Sequence, residues 1–276
     1  MKHKASLKKL MGIPATLLIP LRARYLEHHK AGGIIKDPKS VEIMDAIDHD
    51  FAERELPWDS QIMISVRTEI LDQAIKEFLV KNPDAVIVNL GSGLDTRVHR
   101  VDNGRVHWYD LDLPECIEIR RKFFQESDRF TFIEKSILDF SWTDDIVKGR
   151  KTLFIAEGLL IYFSEEDVRR IISVIKEKFP CSELLCEAYS KLMRMSWHKH
   201  PHLKKALSMF KWGIKTGRTM EEWEDGIRFV NEWHYFDRYP HRWRWMSFFR
   251  FIRPLKKMMK IVHLRFTAQD AKTPAT

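Results

Sequence analysis

The chain has 276 residues, of which 44% are hydrophobic, and a formal net charge of +8. A chain of this length can bury a full core as one large domain or as a domain with a cap. Cys116, Cys181 and Cys186 form an odd set without metal-ligand spacing, so neither a disulfide framework nor a metal site is expected, and a reducing, cytoplasmic location is predicted. Pro14 and Pro20 interrupt the basic, apolar N-terminal stretch, which argues against a secretory signal. No apolar run approaches the ~20 residues that a membrane span needs.

The positive charge is compatible with an acidic partner, such as a nucleic acid or a membrane surface. Its densest patch is the segment 241–260, HRWRWMSFFRFIRPLKKMMK, in which arginines alternate with aromatic residues. Such a segment can bind RNA by stacking or lie in a lipid interface. It can also form a helix whose aromatic face packs on a sheet while its arginines reach water. The second interpretation is favoured, so no nucleic-acid partner is expected, and a basic RNA- or membrane-surface-binding protein is kept as an alternative function.

The hydrophobic pattern alternates between helical and strand-like segments along the chain. Apolar residues follow helical spacing over 59–80, 114–126 and 164–178, and Ser164 with Asp167 forms a weak capping box. Short apolar runs typical of buried parallel strands lie at 85–90, 105–111, 130–137, 152–157 and 183–187. Extended runs return at 226–235 and 259–266.

This alternation predicts an α/β fold with a doubly wound, mostly parallel seven-stranded sheet and an antiparallel last strand. N-terminal helices and a helical cap complete the expected architecture. The predicted division is an N-terminal helical arm and cofactor-covering helix at 1–82, a nucleoside-binding core at 83–187, a cap over the substrate site at 188–225, and a strand-helix-strand unit at 226–276.

The stretch VIVNLGSGLDTR, residues 86–97, ends a predicted strand in a glycine turn. Gly91 and Gly93 would expose bare backbone N–H groups to a ligand at the carboxyl edge of the sheet. The dinucleotide fingerprint requires a third glycine where this chain has Thr96, so a pyrophosphate is not expected. Asp95 would repel a phosphate but could attract the ammonium of an amino-acid-like ligand.

Acidic residues also end two further predicted strands. Asp110 and Asp112 lie on one side of the strand end WYDLDLP, where a carboxylate can accept both hydroxyls of a ribose. Asp112 is the preferred ribose ligand, although it could instead cap the next helix. Glu157 ends an apolar strand and needs a partner, because an unpaired buried carboxylate is costly. Arg67, a lone arginine in an apolar helix, is a candidate for binding an anionic group or for an internal salt bridge.

Four motifs, VRTEILD, GSGLDTR, YDLDLP and AEGLLIYF, together resemble the leucine carboxyl methyltransferase family, including its bacterial polyketide-type O-methyltransferase branch. The resemblance implies the class I, Rossmann-like methyltransferase fold and the cofactor S-adenosylmethionine. It also implies a role for each matching residue. The implied cofactor contacts are Arg67 on the methionyl carboxylate, Gly91 and Gly93 along the backbone, Asp112 on the ribose, Glu157 on the ammonium, and Ser136 with Ile137 beside the adenine. This chain reads KSILDF where the family often has an acidic residue beside the adenine.

The predicted function is therefore an O-methyltransferase acting on a carboxylate or hydroxyl of a small organic, polyketide-like metabolite. A carboxylate of a protein or nucleoside substrate is an alternative acceptor. A carboxylate is already ionised at neutral pH, whereas a hydroxyl usually needs a base, and the sequence identifies no catalytic residue. Tyr162, Tyr189 and His198 are candidate substrate contacts, and Asp95 is a candidate cofactor contact. Neither the acceptor nor the oligomeric state follows from the sequence.

Overall fold

The structure is a computed structural model, and it describes residues 17–47, 56–191, 193 and 210–267. The helices are α1 (Leu18–His29), α2 (Pro38–Ala46), α3 (Trp58–Lys81), α4 (Val98–Val101), α5 (Pro114–Arg120), α6 (Glu165–Lys178) and α7 (Arg253–Lys256). The strands are β1 (Val86–Leu90), β2 (His107–Asp112), β3 (Phe130–Glu134), β4 (Thr152–Ala156), β5 (Glu183–Tyr189), β6 (Ile227–His234) and β7 (Met259–Phe266). Short 3₁₀ helices occupy 140–144, 160–162, 217–223, 235–237, 240–242 and 244–251.

The seven strands form one sheet in the order β3-β2-β1-β4-β5-β7-β6. Strands β1 to β5 pair in parallel, and β7 runs antiparallel between β5 and β6. Every residue of β1 and β4 is buried, because hydrophobic clusters cover both faces of the sheet. The predicted fold class is therefore confirmed. Because β1 lies at the centre, the carboxyl ends of β1, β2 and β4 meet at one edge, which is where open α/β sheets bind ligands.

Helix α6 begins as its sequence predicts. Ser164 Oγ accepts a hydrogen bond from the backbone N–H of Asp167, whose carboxylate accepts one from the backbone N–H of Ser164. This reciprocal capping satisfies two donors that a helix N-terminus otherwise leaves unpaired. The apolar stripe of α6, which includes Val168 and Ile172, is buried in the core beside β4 and β5.

Two elements are shorter than predicted. Helix α5 ends at Arg120 instead of near residue 126, and the Glu126 carboxylate accepts a hydrogen bond of 2.8 Å from the backbone N–H of Phe132. That bond closes the connection to β3. Strand β3 ends at Glu134 because its register partner on β2, Asp112, is the last residue of that strand. Beyond it the chain turns, so Ile137 lies after the strand and not in it.

Two segments that were expected to be helical, the cap at 188–225 and the aromatic segment at 241–260, differ more from the prediction. Residues 188 and 189 of the predicted cap belong to β5, and 217–223 form a 3₁₀ helix, while 192 and 194–209 lie outside the described residues. The aromatic segment is mainly a 3₁₀ helix, and its aromatic residues do not all pack inward: Trp243 is buried, whereas Trp245 is 65% exposed. Within the described ranges, no helix is long and apolar enough to cross a bilayer. The domain boundaries proposed from the sequence stay a prediction.

Candidate active site

A cavity of about 270 Å³ lies at the carboxyl ends of β1 and β4, beneath α1 and α3. Seven of the residues selected from the sequence line it: Arg67, Gly91, Gly93, Asp95, Glu157, Tyr162 and Tyr189. Asp112, Ser136 and Ile137 do not line it. His198 lies outside the described residues. The fold thus brings Arg67, the glycine turn and Glu157 together at one cavity, while Asp112, the fourth predicted part of the cofactor site, lies beside the turn and outside the lining.

The glycine turn approaches the cavity closely, but its N–H groups are not bare, so that expectation was wrong. The backbone N–H groups of Gly91 and Ser92 both donate to the carbonyl of Leu111, and that of Gly93 donates to Asp112 Oδ2 at 2.7 Å. These bonds form because β1 lies beside β2 in parallel register, with Leu90 opposite Leu111. Glycine serves a different purpose here. Both glycines have positive φ, +65° and +47°, and a Cβ at Gly93 would lie 2.7 Å from Leu17, which lines the cavity.

The two aspartates of β2 have different roles. Asp110 is fully buried and bonded to Trp108, Asn89 and Arg120, so it is a structural carboxylate that holds the strand end in place. Asp112 lies two residues further on, at the rim of the glycine turn. Its two oxygens accept from backbone N–H groups, which leaves acceptor capacity for hydroxyl groups, and burial raises the pKa of its carboxyl.

Ser136 and Ile137 follow β3 at the same sheet edge, beyond Asp112. Ile137 is 6% exposed and packs in the hydrophobic cluster, while its carbonyl accepts a hydrogen bond from Trp142. Ser136 is half-buried, and its hydroxyl accepts from the backbone N–H of Leu138. Neither residue lines the cavity, so their place beside an adenine stays a prediction.

Arg67, on α3, joins two carboxylates from two strands. Its Nη2 lies 2.7 Å from Glu157 Oε1 and its Nη1 lies 2.8 Å from Glu187 Oε2. All three side chains are buried or nearly so. The sequence left two roles open for Arg67, an internal salt bridge or the binding of an anionic group. Arg67 is an internal salt-bridge partner, and it also lines the cavity, where it could bind such a group.

Glu157 is held between guanidinium groups. Arg97 reaches its second oxygen, while Arg67 binds the first. Burial alone would raise the pKa of Glu157, but the charges of Arg67, Arg97 and Arg24 outweigh it and hold this pKa well below its usual range. The carboxylate therefore stays ionised at any physiological pH.

Arg97 connects this pair to the glycine turn. Its Nη1 lies 2.5 Å from Asp95 Oδ2, and its Nε lies 2.8 Å from Asp72 Oδ1 on α3. Arg100 and Arg24 extend the network to Asp37 on the far side. The connected side chains are Arg24, Arg67, Arg97 and Arg100 with Asp37, Asp72, Asp95, Glu157 and Glu187. Four cations and five anions give this network a formal charge of −1.

Glu187, near the end of β5, organises one wall of the cavity. It accepts hydrogen bonds from the hydroxyls of Tyr189 and Tyr235, from the backbone N–H of Gly158 and from Arg67. Burial and the charge of Glu187 raise the pKa of both tyrosines well above the usual value, so both remain protonated. Tyr189 therefore cannot act as a base at neutral pH, and because it donates its one hydroxyl proton to Glu187, its oxygen can only accept a hydrogen bond in the cavity.

Sequence reasoning missed Glu187 and Arg97, which do not line the cavity but bind Arg67, Asp95 and Glu157, which do. Arg97 lies within the motif GSGLDTR, next to Thr96, where the one arginine of the motif, close to Asp95, is a signal for an ion pair. Glu187 has the same signal that identified Glu157, because it is an acidic residue at the end of an apolar predicted strand.

Three buried polar atoms of lining residues have no hydrogen-bond partner among the described residues. Arg24 Nε lies 3.2 Å from the carboxylate of Asp37, which leaves two without a charged neighbour of this kind, Arg67 Nε and Ser92 Oγ. Buried polar groups are nearly always paired, so such atoms indicate where a ligand can bind. One is a cationic donor and the other a hydroxyl beside the glycine turn. A zwitterionic amino-acid group on a nucleoside, as in S-adenosylmethionine, fits this donor set.

A larger groove of about 980 Å³ lies beside the first cavity, between α6, α7 and the 3₁₀ helix at 217–223. A smaller pocket of about 190 Å³ joins the two: Tyr189 and Phe210 line both this pocket and the first cavity, while Ser190 and Lys191 line both it and the groove. The groove contains none of the predicted cofactor residues. The groove is therefore not the candidate cofactor site, although its volume is larger than that of the first cavity.

Known proteins are similar to this chain over most of its length. The sequence model of the leucine carboxyl methyltransferase family matches residues 21–176. Tetracenomycin polyketide synthesis O-methyltransferase TcmP of Streptomyces glaucescens is 30% identical over 265 residues, which cover 94% of this chain and 95% of that protein. A putative S-adenosyl-L-methionine-dependent methyltransferase of Mycobacterium ulcerans is 25% identical over 65% of this chain and 66% of its own.

Solved structures share the fold at low sequence identity. A DUF574 family protein of Streptomyces avermitilis gives a TM-score of 0.59 at 15% identity, covering 89% of this chain and 96% of its own. A putative methyltransferase of Thermobifida fusca gives a TM-score of 0.58 at 14% identity, covering 91% and 94%. These likenesses concern the architecture alone.

Proposed function

Because the chain belongs to the leucine carboxyl methyltransferase family, we propose that it transfers the methyl group of S-adenosylmethionine to an oxygen atom of a small organic acceptor. Methyl transfer with S-adenosylmethionine follows from the family. Transfer to oxygen is supported by the similarity to TcmP, a polyketide O-methyltransferase that aligns along nearly the whole chain. The observation that carries the proposal is the convergence of Arg67, Glu157 and the glycine turn on one cavity that contains an unpaired guanidinium Nε.

The cavity offers groups for the amino-acid part of the cofactor, and Asp112, beside the glycine turn, offers one for the ribose. Arg67 would hold the methionyl carboxylate through Nε, and Glu157 would face the ammonium. The glycine turn would lie along the chain between the amino acid and the ribose, and Asp112 would accept the ribose hydroxyls. Asp95, bonded to Arg97 and Asn89, would keep the turn in place.

Electrostatics favours this cofactor over an anionic one. S-adenosylmethionine carries one carboxylate, one ammonium and one sulfonium, and therefore a net charge of +1. The ion-pair network around the cavity has a formal charge of −1, so the bound state is close to neutral. In a cavity that excludes water, such complementarity is stronger than at the surface. When bound, the cofactor supplies a methyl group activated by the positive sulfur.

An acceptor that is already ionised suits the groups that line the cavity. Tyr189 stays protonated, and the pKa of Glu157 is held well below its usual range, so neither removes a proton from a neutral hydroxyl. A carboxylate needs no such step. The protein would then act by holding the acceptor oxygen in line with the methyl group and by keeping water out. We therefore favour the carboxylate of a small, polyketide-like acid as the acceptor.

The acceptor would approach from the side of Tyr189 and Phe210. These two rings stack with centroids 5.3 Å apart, and Tyr162 meets Phe210 edge-on, so the passage is lined by aromatic faces. A flat aromatic acceptor could pack against the free faces and edges of these rings. Tyr162 and Tyr189 are therefore proposed substrate contacts.

Isothermal titration with two ligands separates the proposed contacts. S-adenosylhomocysteine has the amino-acid group and the ribose, whereas methylthioadenosine has only the ribose and base. Arg67→Lys should weaken binding of S-adenosylhomocysteine at least tenfold and leave methylthioadenosine unchanged, because the planar guanidinium is lost. Asp112→Asn should weaken both ligands. Equal effects of Arg67→Lys on the two ligands would contradict the assignment of this arginine.

The acceptor is identified from product mass. The protein is incubated with methyl-labelled cofactor and a panel of aromatic acids, phenols, peptides and nucleosides. Esters are distinguished from ethers by mild alkaline hydrolysis, which releases the label only from esters. Labelled ethers alone would refute the carboxylate proposal, and labelled peptides or nucleosides would favour a larger acceptor.

A further inference from the structure

The 3₁₀ helix at Arg244–Phe251 presents a row of exposed aromatic residues. A 3₁₀ helix has three residues per turn, so side chains three positions apart lie above one another. Trp245, Phe248 and Phe251 occupy one such row and are 65%, 46% and 75% exposed. Met246, in the next row, is 2% exposed and faces the core. The helix is therefore amphipathic, with large apolar side chains on its outer face.

Basic side chains flank this row. Arg250 lies over the ring of Phe251 at 4.5 Å, and Arg244 lies over Trp58 at 4.7 Å. Arg253 is exposed and has no carboxylate partner in the described part of the chain. Between residues 238 and 269 the sequence has nine Lys or Arg and no Asp or Glu. Four of these nine pair with carboxylates from outside the segment, Arg242 with Glu27, Lys256 with Asp237, Lys257 with Glu232 and Arg265 with Glu183, and Lys260 is buried. Like Arg253, Arg244 and Arg250 form no ion pair with a described carboxylate, so the surface beside the aromatic row carries positive charge.

We propose that this helix attaches the protein to anionic lipid surfaces. The row of Trp245, Phe248 and Phe251 enters the headgroup region, where amphipathic rings are favoured, and the neighbouring arginines bind lipid phosphates. Each basic side chain near an anionic surface adds attraction that falls off within a Debye length. The attachment is peripheral and reversible, because three rings and a few arginines form a shallow contact.

The ring geometry favours lipid over RNA. Base stacking needs open ring faces. Arg250 covers one face of Phe251, and Trp245 meets Phe249 edge-on, with an interplanar angle of 90°. A second copy of the chain fits less well than lipid, because a twofold interface on this surface would place Arg244, Arg250 and Arg253 near the same arginines of the other copy.

The test uses the full chain and vesicles of phosphatidylcholine with or without phosphatidylserine. Sedimentation should show binding to the anionic vesicles only, and high salt should release it. The double variant W245S/F251S should lower partitioning at least tenfold, because two apolar side chains are removed. Val80→Ser is the matched control: Val80 is 83% exposed on α3, and its loss should change nothing.

A second pair of variants tests how much the arginine charge contributes to vesicle binding. Arg253→Gln should weaken partitioning about fivefold. Arg150→Gln, an exposed arginine before β4, should have no effect. Trp245→Phe should keep vesicle binding but lose most of the tryptophan quenching by brominated acyl chains.

Several outcomes would overturn the attachment. Unchanged vesicle binding by W245S/F251S is one, and binding of homopolymer RNA without vesicle binding is another. A dimer that forms on concentration and is abolished by W245S/F251S, again without vesicle binding, would identify a second copy as the occupant. Binding of S-adenosylhomocysteine by every variant should equal that of the native chain, so a failure of the lipid proposal leaves the proposed enzymatic function untouched.

Discussion

Arg67 and Glu187 are 120 residues apart in the chain, yet Arg67 Nη1 donates a buried hydrogen bond of 2.8 Å to Glu187 Oε2. The bond connects α3 to the end of β5 and fixes the guanidinium at the cavity wall. Because Glu187 also accepts from two tyrosine hydroxyls, the charge of one buried carboxylate positions three side chains. Both the stability of the fold and the binding of a ligand should therefore depend on Glu187.

Glu187→Gln keeps the shape of the side chain and removes its charge. Breaking a buried ion pair is strongly destabilising. Because Arg67 still pairs with its second carboxylate, Glu157, we expect a loss of about 3 kcal/mol in the free energy of unfolding. Affinity for S-adenosylhomocysteine should also fall. Tyr235→Phe is the control, because it removes one of the hydrogen bonds to Glu187 and should cost about 1 kcal/mol. Urea unfolding and titration measure both quantities; equal losses in the two variants would show that the charge of Glu187 is unimportant.

The glycine turn allows a clean separation of backbone strain from steric clash. Gly93 and Gly104 both have positive φ, +47° and +79°, so alanine at either position should cost about 1 kcal/mol of stability. A Cβ at Gly104 meets no atom within 4 Å, whereas one at Gly93 meets Leu17 at 2.7 Å and pushes it toward the cavity. Only Gly93→Ala should therefore weaken cofactor binding, by about tenfold. If Gly104→Ala weakened binding equally, strain alone would account for the effect.

Lys260 makes stability depend on pH. Its side chain is fully buried on β7 and donates to the carbonyl of Ile214, and burial lowers its pKa from 10.5 to about 8. Between these values the unfolded chain binds more protons than the folded one, so stability rises with pH. The cost of burying the charge is fully present below pH 8 and is relieved as the pH approaches 10.5.

The test compares the native chain with Lys260→Met. The free energy of unfolding of the native chain should rise relative to that of the variant by about 3 kcal/mol across this window. Cys186, whose pKa burial raises to about 12, titrates in the unfolded state of both proteins, so its contribution cancels in the difference. Parallel pH profiles for the two proteins would contradict a lowered pKa at Lys260.

Local patterns predicted the framework well because they depend on neighbouring residues. The capping box of α6, the bounds of β7 and the glycine turn all follow from a few adjacent positions. Element ends were less accurate where a distant partner decides them, as at β3, which stops where β2 stops. The supposed bare N–H groups failed for the same reason, since only the register with Leu111 shows that they are already bonded.

In the candidate site, too, residues with a local signal were predicted, and contacts between distant segments were not. Arg67, Gly93 and Glu157 were found because each is conspicuous in its own segment. The pairing of Glu187 with Arg67 and the three-way pairing of Arg97 depend on how α3, β4 and β5 come together, which no single segment encodes. Sequence reasoning thus found residues that line the cavity and missed those that hold them in place.

Arg97 provides the sharpest test of this holding role. Its Nε, Nη1 and Nη2 each bind a different carboxylate, on Asp72, Asp95 and Glu157, and its side chain is fully buried. Three carboxylates around one cation also raise the pKa of Arg97 above its usual value despite burial, so the group stays charged.

A lysine at position 97 keeps the charge but not the planar fork. Its single ammonium cannot reach three separate carboxylates in the same directions, so we expect Arg97→Lys to lose about 3 kcal/mol of unfolding free energy. Arg150→Lys, at an exposed position before β4, should lose almost nothing. Calorimetric unfolding of both variants, with and without S-adenosylhomocysteine, measures the difference. A smaller stabilisation of Arg97→Lys by the ligand would show that Arg97 positions Asp95 and Glu157 for binding, whereas equal stabilisation would restrict it to folding.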